Sequence, residues 1–281
     1  MLAMPPISLI ALPYDSGRFE ERMGRGPVAL IANGLLEDLR SKKFDVSLQT
    51  IRLPEAFQTE ASALVELQRR TVVAISEALS RGSRPILLSG NCGPAALSAT
   101  AALGAKSTGV IWFDAHADFN TPATSSSGFL DGMGLAILAG QCWPKLAERL
   151  ESFEAVPVEQ IIQIGVRDVD PQEANRLEQS AIVRLAPSDL GRLHGAINDL
   201  LGRVARVYVH VDVDVLDLAE GAANSYACAG GLTLPDLYRA LETIAESIPI
   251  AAGSITSYDP GADHDGRIGR AVPRIVELLA R

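Results

Sequence analysis

Apolar positions along the chain follow two rhythms. Short runs rich in Val and Ile, near residues 7–12, 45–51, 85–89, 108–113, 160–165, 181–185, 207–213 and 251–257, are close to continuous, as in strands buried on both faces. Between them, stretches such as 58–81 and 233–247 repeat apolar residues at three and four, the spacing of an amphipathic helix. Thr233 ahead of Leu234-Pro235-Asp236 supplies an N-cap followed by an early proline. This alternation predicts an α/β fold with a parallel sheet covered by helices on both faces. No linker, repeat or low-complexity segment interrupts it, so residues 1–281 read as one domain, and the Ser-rich stretch from Thr121 to Gly128 reads as a long loop after a strand.

Composition narrows the function. With 281 residues and 47% hydrophobic content, the chain can fill one large core. Its 34 acidic against 25 basic residues give a net charge of -9, which argues against a phosphate backbone as partner, so no nucleic acid is expected. Cys92, Cys142 and Cys228 are odd in number and scattered, which fits a reducing, cytoplasmic compartment better than a disulfide framework. The apolar run Ile7-Ser8-Leu9-Ile10-Ala11-Leu12 has no basic segment before it and is too short for a signal or a membrane span. A first buried strand is expected there, and no membrane partner.

The chemistry concentrates at two strand ends. Thr108-Gly109-Val110-Ile111-Trp112-Phe113 runs directly into Asp114, His116 and Asp118, whose alternate spacing places them on one side if the backbone stays extended. Val207-Tyr208-Val209-His210-Val211 feeds Asp212 and Asp214 in the same way. Ligands of open parallel sheets bind beyond the carboxyl ends of strands. If these two strands are neighbours, their tips lie roughly 5 Å apart and the five side chains converge. Carboxylates so close repel by about 4 kcal/mol per pair, at about 4 Å and an effective dielectric of about 20, and a divalent cation relieves that repulsion. Carboxylates with one imidazole favour Mn2+, and Zn, Fe or Co less strongly. Two such ions about 3.5–4 Å apart can share a water and lower its pKa. A single Asp-x-Asp after a strand is more often a helix cap or a turn, but the rarer Asp-x-His-x-Asp and the recurrence on a second apolar strand weigh against that. His194 and His210 read as structural or surface residues, and His264 as an exposed loop residue.

These motifs resemble those of the arginase/agmatinase (ureohydrolase) family, in order along nearly the whole chain. Leu12-Pro13-Tyr14-Asp15-Ser16-Gly17 with Gly24-Arg25-Gly26-Pro27 is similar to the family's first strand, loop and helix. Asp114 to Asn120 and His210-Val211-Asp212-Val213-Asp214 resemble its two metal signatures, followed by Gly230-Gly231-Leu232-Thr233. The resemblance implies a three-layer α/β/α sandwich around a mostly parallel eight-stranded sheet, a binuclear centre and a trimeric or hexameric homo-oligomer. By it, Asp114 and Asp212 bridge two ions, His116 and Asp214 complete one, and Asp118 serves the other. Asn120, Ser127 and Asp170 match positions that hold the α-carboxylate and α-ammonium of an amino-acid substrate.

Three departures bear on activity. Ser89-Gly90-Asn91-Cys92-Gly93 stands in place of Gly-Gly-Asp-His-Ser, so Cys92 occupies a metal-binding histidine position, either as a soft ligand or as a small buried thiol. Asp131, in Gly128-Phe129-Leu130-Asp131-Gly132-Met133, stands where the family has a histidine that moves protons or positions substrate. Ser257-Tyr258-Asp259-Pro260 replaces Glu-Val-Asn-Pro, removing the carboxylate that grips the guanidinium. Asp131 is then expected to supply the missing charge, or to cap a helix beginning near Gly132, and Asp259 to lie on the side of Ser257 if that strand continues. A branch of the family, the Nω-hydroxyarginine amidinohydrolases, is similar in carrying cysteine at the histidine position and an Asp-Phe-Asn-Thr-Pro run. The expected function is metal-dependent hydrolysis of a guanidino or amidino compound, with Asp118 or Asp131 moving the proton. Agmatinase, formimidoylglutamase and arginase activities, or a non-catalytic subunit, are the alternatives.

Overall fold

A computed structural model describes residues 5–54, 57 and 59–281 of the chain. Its strands are β1 (Ile7–Leu12), β2 (Tyr14–Asp15), β3 (Arg18–Phe19), β4 (Val46–Thr50), β5 (Arg84–Ser89), β6 (Thr108–Phe113), β7 (Ile161–Ile164), β8 (Val183–Leu185), β9 (Arg206–Asp212) and β10 (Ile250–Thr256). Its helices are α1 (Gly26–Ala32), α2 (Leu35–Ser41), α3 (Glu60–Ser80), α4 (Cys92–Leu103), α5 (Gly134–Leu138), α6 (Pro144–Ala147), α7 (Pro171–Glu178), α8 (Leu193–Leu201), α9 (Leu234–Ser247) and α10 (Arg267–Leu279). All eight predicted strands are present within two residues of their expected bounds. Thr233 caps α9 by accepting from Asp236 N, and Thr59 caps α3 by accepting from Ser62 N, whereas residue 58, the expected first position of that helix, lies outside the described residues.

Eight strands form one parallel sheet in the order β4-β1-β5-β10-β9-β6-β7-β8, and β2 and β3 form a separate antiparallel hairpin. Alternation sorts side chains to the two faces. Ile111, Phe113, Val207, Val209 and Val211 pack under α1, α2, α8, α9 and α10. Val110, Trp112 and Tyr208 pack under α3, α4 and α5. This is the expected three-layer sandwich. Among the described residues, no helix is long and apolar enough to cross a membrane. All three cysteines are free.

Two consequences position the site. Strands β6 and β9 are neighbours, with Phe113 opposite Val211, so Asp114 and Asp212 leave adjacent strands at the same level. By the parity that sends Trp112 and Tyr208 toward α4, both aspartates lean to that side, where α4 begins at Cys92. The turn between β5 and α4 runs tightly under the β2 strand. A Cβ on Gly90 would stand 2.3 Å from Tyr14 O, so only glycine fits there.

Candidate metal centre

The tips of β6 and β9 and the start of α4 meet in two compact groups of potential ligands. One oxygen each from Asp114 and Asp214 and a nitrogen of His116 lie within 4.8 Å of one another. So do Cys92 Sγ, a nitrogen of His210 and one oxygen each from Asp114 and Asp212. Asp114 belongs to both. Backbone and indole donors hold the carboxylates in place. His116 N donates to Asp114 Oδ1 at 2.7 Å, and Trp112 Nε1 donates to Asp114 Oδ2 at 3.0 Å. Asp214 N donates to Asp212 Oδ1 at 3.0 Å, while Ala115 N and Asn224 Nδ2 donate to Asp214 at 3.2 Å. Cys92 Sγ donates to Asp212 Oδ2 at 3.0 Å. Asp118 lines the same cavity at a left-handed φ of 48°, outside both compact groups; the extended backbone expected from Asp114 onward ends before it.

The electrostatics follow from crowding away from water. Burial raises the pKa of Asp114 to about 6, with Asp214 adding repulsion. Burial and then neighbouring carboxylates raise Asp118 and Asp212 well above the usual range. His116 is the cation facing them. Burial alone would lower its pKa, but hydrogen bonds to Asp114 and Asp214, at 3.3 and 3.4 Å, outweigh burial and raise it. In Asp214 the same contact overcomes desolvation and brings the carboxyl down to about 2. Burial also pushes the Cys92 thiol up, with Asp212 reinforcing it. A divalent cation fits this donor set, because it offers carboxylates what a single imidazolium supplies only in part.

A cavity of about 240 Å³ opens over the centre, lined by Cys92, His116, Asp118, Asp131, Asp212 and Asp214 at its base. Asn120, Phe129, Asp170, Glu173, Tyr226 and Ser257 also line it. Asn120 Nδ2 donates to Asp170 Oδ2 at 3.0 Å, and Asp170 also stands as N-cap of α7. Phe129 and Tyr226 stack 6.0 Å apart at the mouth.

The family model described as the arginase family matches residues 5–280. The chain belongs to the arginase family. It is 28% identical to an arginase of Bacillus caldovelox over 277 residues, covering 92% of this chain and 93% of that one. It is 29% identical to an arginase of Staphylococcus aureus over 279 residues, covering 92% and 91%. The solved structure of the Bacillus caldovelox arginase superposes with a TM-score of 0.87 at 26% identity, over 99% of this chain and 98% of that one.

Against the arginase-family pattern, the structure separates the expected site residues. Asn120, Asp131 and Asp170 face the cavity; Ser127 and Asp259 are not among its lining residues. Ser127 Oγ accepts from Phe129 N in an exposed turn. Asp259 pairs with Arg25 at 3.0 Å, because β10 stops at Thr256 and Ser257 adopts a left-handed φ of 62°, which breaks the alternation that would have kept Asp259 beside Ser257. Asp131 does not cap a helix at Gly132. Its carboxylate accepts from Asn91 Nδ2 at 2.8 Å, Cys92 N at 3.1 Å and Gly93 N at 2.9 Å, at the start of α4. Burial lifts its pKa to about 7, with these donors opposing the rise. His194 and His264 are exposed, and His210, expected with His194 to be structural or at the surface, is fully buried against the centre. Trp112 and His210 each stand two residues before the first aspartate of a motif, and that even spacing was the signal that they share its face. Asn224 carried no such signal.

Proposed function

We propose that the chain hydrolyses a linear C–N bond in a guanidino amino acid, arginine or an Nω-hydroxyarginine-like compound, releasing urea or a urea derivative. What supports this is the convergence of two acidic strand tips from paired strands beneath a cavity, in a chain of the arginase family. Cys92, Asp114, His116, Asp118, Asp212 and Asp214 are the residues to hold one or two ions, with Mn2+ as the expected cation and Zn, Fe or Co as fits for a thiol-containing set. Bound there, the ions supply Lewis acidity and a water activated at neutral pH.

The chain's own residues do the rest. Asn120 and Asp170, held together by a hydrogen bond, receive the α-carboxylate and α-ammonium ends respectively. Phe129 and Tyr226 close the mouth over an apolar or planar group. Asp118 or Asp131 moves the proton to the leaving amine: burial raises both carboxyls, that of Asp131 to about 7. Ser257 offers no charge to a guanidinium, and among the acidic side chains lining the cavity Asp131 is assigned that role.

A panel of arginine, Nω-hydroxyarginine, agmatine and formiminoglutamate, with the Mn2+-loaded protein and assays for urea, hydroxyurea and formamide, tests the reading. Release from one of the two amino acids is expected in excess of release from agmatine, because Asp170 needs an ammonium to pair. Loaded protein that releases nothing from any of them removes the proposal and favours a non-catalytic subunit.

A further inference from the structure

His210, on β9, is the one fully buried imidazole at the centre among the described residues. It stacks on Trp112 with ring centroids 3.7 Å apart and planes 16° from parallel, which fixes the ring. Its Nδ1 lies 3.0 Å from both Tyr208 Oη and Ser254 Oγ. Hydroxyls at that nitrogen can accept its proton, leaving the Nε2 lone pair directed the other way; such outer partners are what orient metal-bound histidines. Nε2 faces Thr256 Oγ1 at 3.3 Å, and that hydroxyl is itself 3.3 Å from Cys92 Sγ. The imidazole and the thiol at the start of α4 thus share the Thr256 hydroxyl and lie within 4.8 Å of each other, with Asp212 two residues further along β9.

We propose that His210 is a metal ligand, forming with Cys92, Asp114 and Asp212 a four-donor position distinct in chemistry from the one made by His116, Asp114 and Asp214. The inference rests on the metal-centre reading above. Donors at about 2.0–2.3 Å from a tetrahedral ion are separated by roughly 3.3–3.8 Å. The four atoms, already within 4.8 Å of one another, need only a modest contraction. One sulfur, one nitrogen and two oxygens suit Zn2+, while the second position, with one imidazole and carboxylates, suits Mn2+. The two positions thus select different ions. Where the family resemblance expects an imidazole at the head of α4, this chain has a thiol there and brings an imidazole from β9, two strands away from β5 in the sheet.

Full-length protein loaded with Zn2+ and Mn2+ and measured at the zinc X-ray absorption edge tests this without reference to activity. The zinc shell is expected to contain one sulfur at about 2.3 Å and an imidazole nitrogen at about 2.0 Å. In His116→Asn protein the imidazole signal persists, since His210 supplies it. In His210→Gln protein, whose amide can still meet Thr256, it disappears and zinc affinity falls by more than the roughly 10–100-fold that outer-shell partners cost. A sulfur shell without imidazole in His116→Asn protein overturns the assignment of His210 while leaving the metal centre standing. A zinc shell without sulfur overturns the four-donor position. Failure of the unaltered protein to bind any ion stoichiometrically overturns the centre and this inference together.

Discussion

A carboxylate in a pocket can serve the reaction or the scaffold, and at Asp131 the two roles meet. The first amides of α4 have no partner within the helix, and the carboxylate takes those of Cys92 and Gly93, with the Asn91 side chain as a third donor. Cys92 is thereby held at the turn that presents its sulfur to Asp212. Asp131→Ala leaves these buried donors without their acceptor, a loss of about 1–3 kcal/mol in urea denaturation. Asp131→Asn keeps one acceptor oxygen and is expected to fall between the two. An alanine variant as stable as the parent would show that the carboxylate contributes nothing to the fold and is free to act on substrate alone.

Between elements, Arg167 joins the loop after β7 to the loop after β9. Its guanidinium donates to the carbonyls of Gly165, Asp214, Val215, Leu216 and Cys228 at 2.9–3.3 Å, so one side chain ties down three successive carbonyls of the segment carrying Asp214. Lysine has three donors and no planar fork. Arg167→Lys is therefore expected to cost about 1–3 kcal/mol and to weaken ion binding on the Asp214 side more than on the Cys92 side. Titration with one ion type while following each position spectroscopically would check this; equal weakening would remove the argument. Such links are not legible in a sequence. The strands were, because burial on both faces leaves continuous apolar runs, and the acidic motifs were, because they follow two of those runs directly. That β6 and β9 pair depends on β9 and β10 inserting between β5 and β6, which no local pattern records. The β2–β3 hairpin has two residues per strand, too few to show a period. Asp259 leaves the side of Ser257 because the strand on which that expectation depends ends at Thr256 and a positive φ at Ser257 breaks the alternation, which the residue types do not record.

For the molecule as a whole, the site is a store of unfavourable charge at the carboxyl ends of interior strands of a well-packed sheet, and pH reveals its cost. Burial raises Asp114 to about 6 and Asp131 to about 7, and also lifts Asp118 and Asp212, so the folded chain without ions binds protons more tightly than the unfolded chain does. Stability from this source is fully present below the ordinary carboxylate value near 4 and is lost as pH rises through about 6–7. His116, also raised, acts in the same direction above its ordinary value, and Asp214, lowered to about 2, is constant across this window. Divalent ions replace those protons, stabilising by about 2.7 kcal/mol when free ion is about 100 times the Kd. Protons compete with the ions at low pH, so the difference in Tm between ion-loaded and chelator-treated protein should widen from about pH 5 to about pH 8, with the chelated form falling while the loaded form holds. Thermal melts of both forms across that range would check it. A difference that stays flat with pH would mean that the aspartates at the tips of β6 and β9 tolerate one another without a cation, and the electrostatic reason for a metal at this site would be gone.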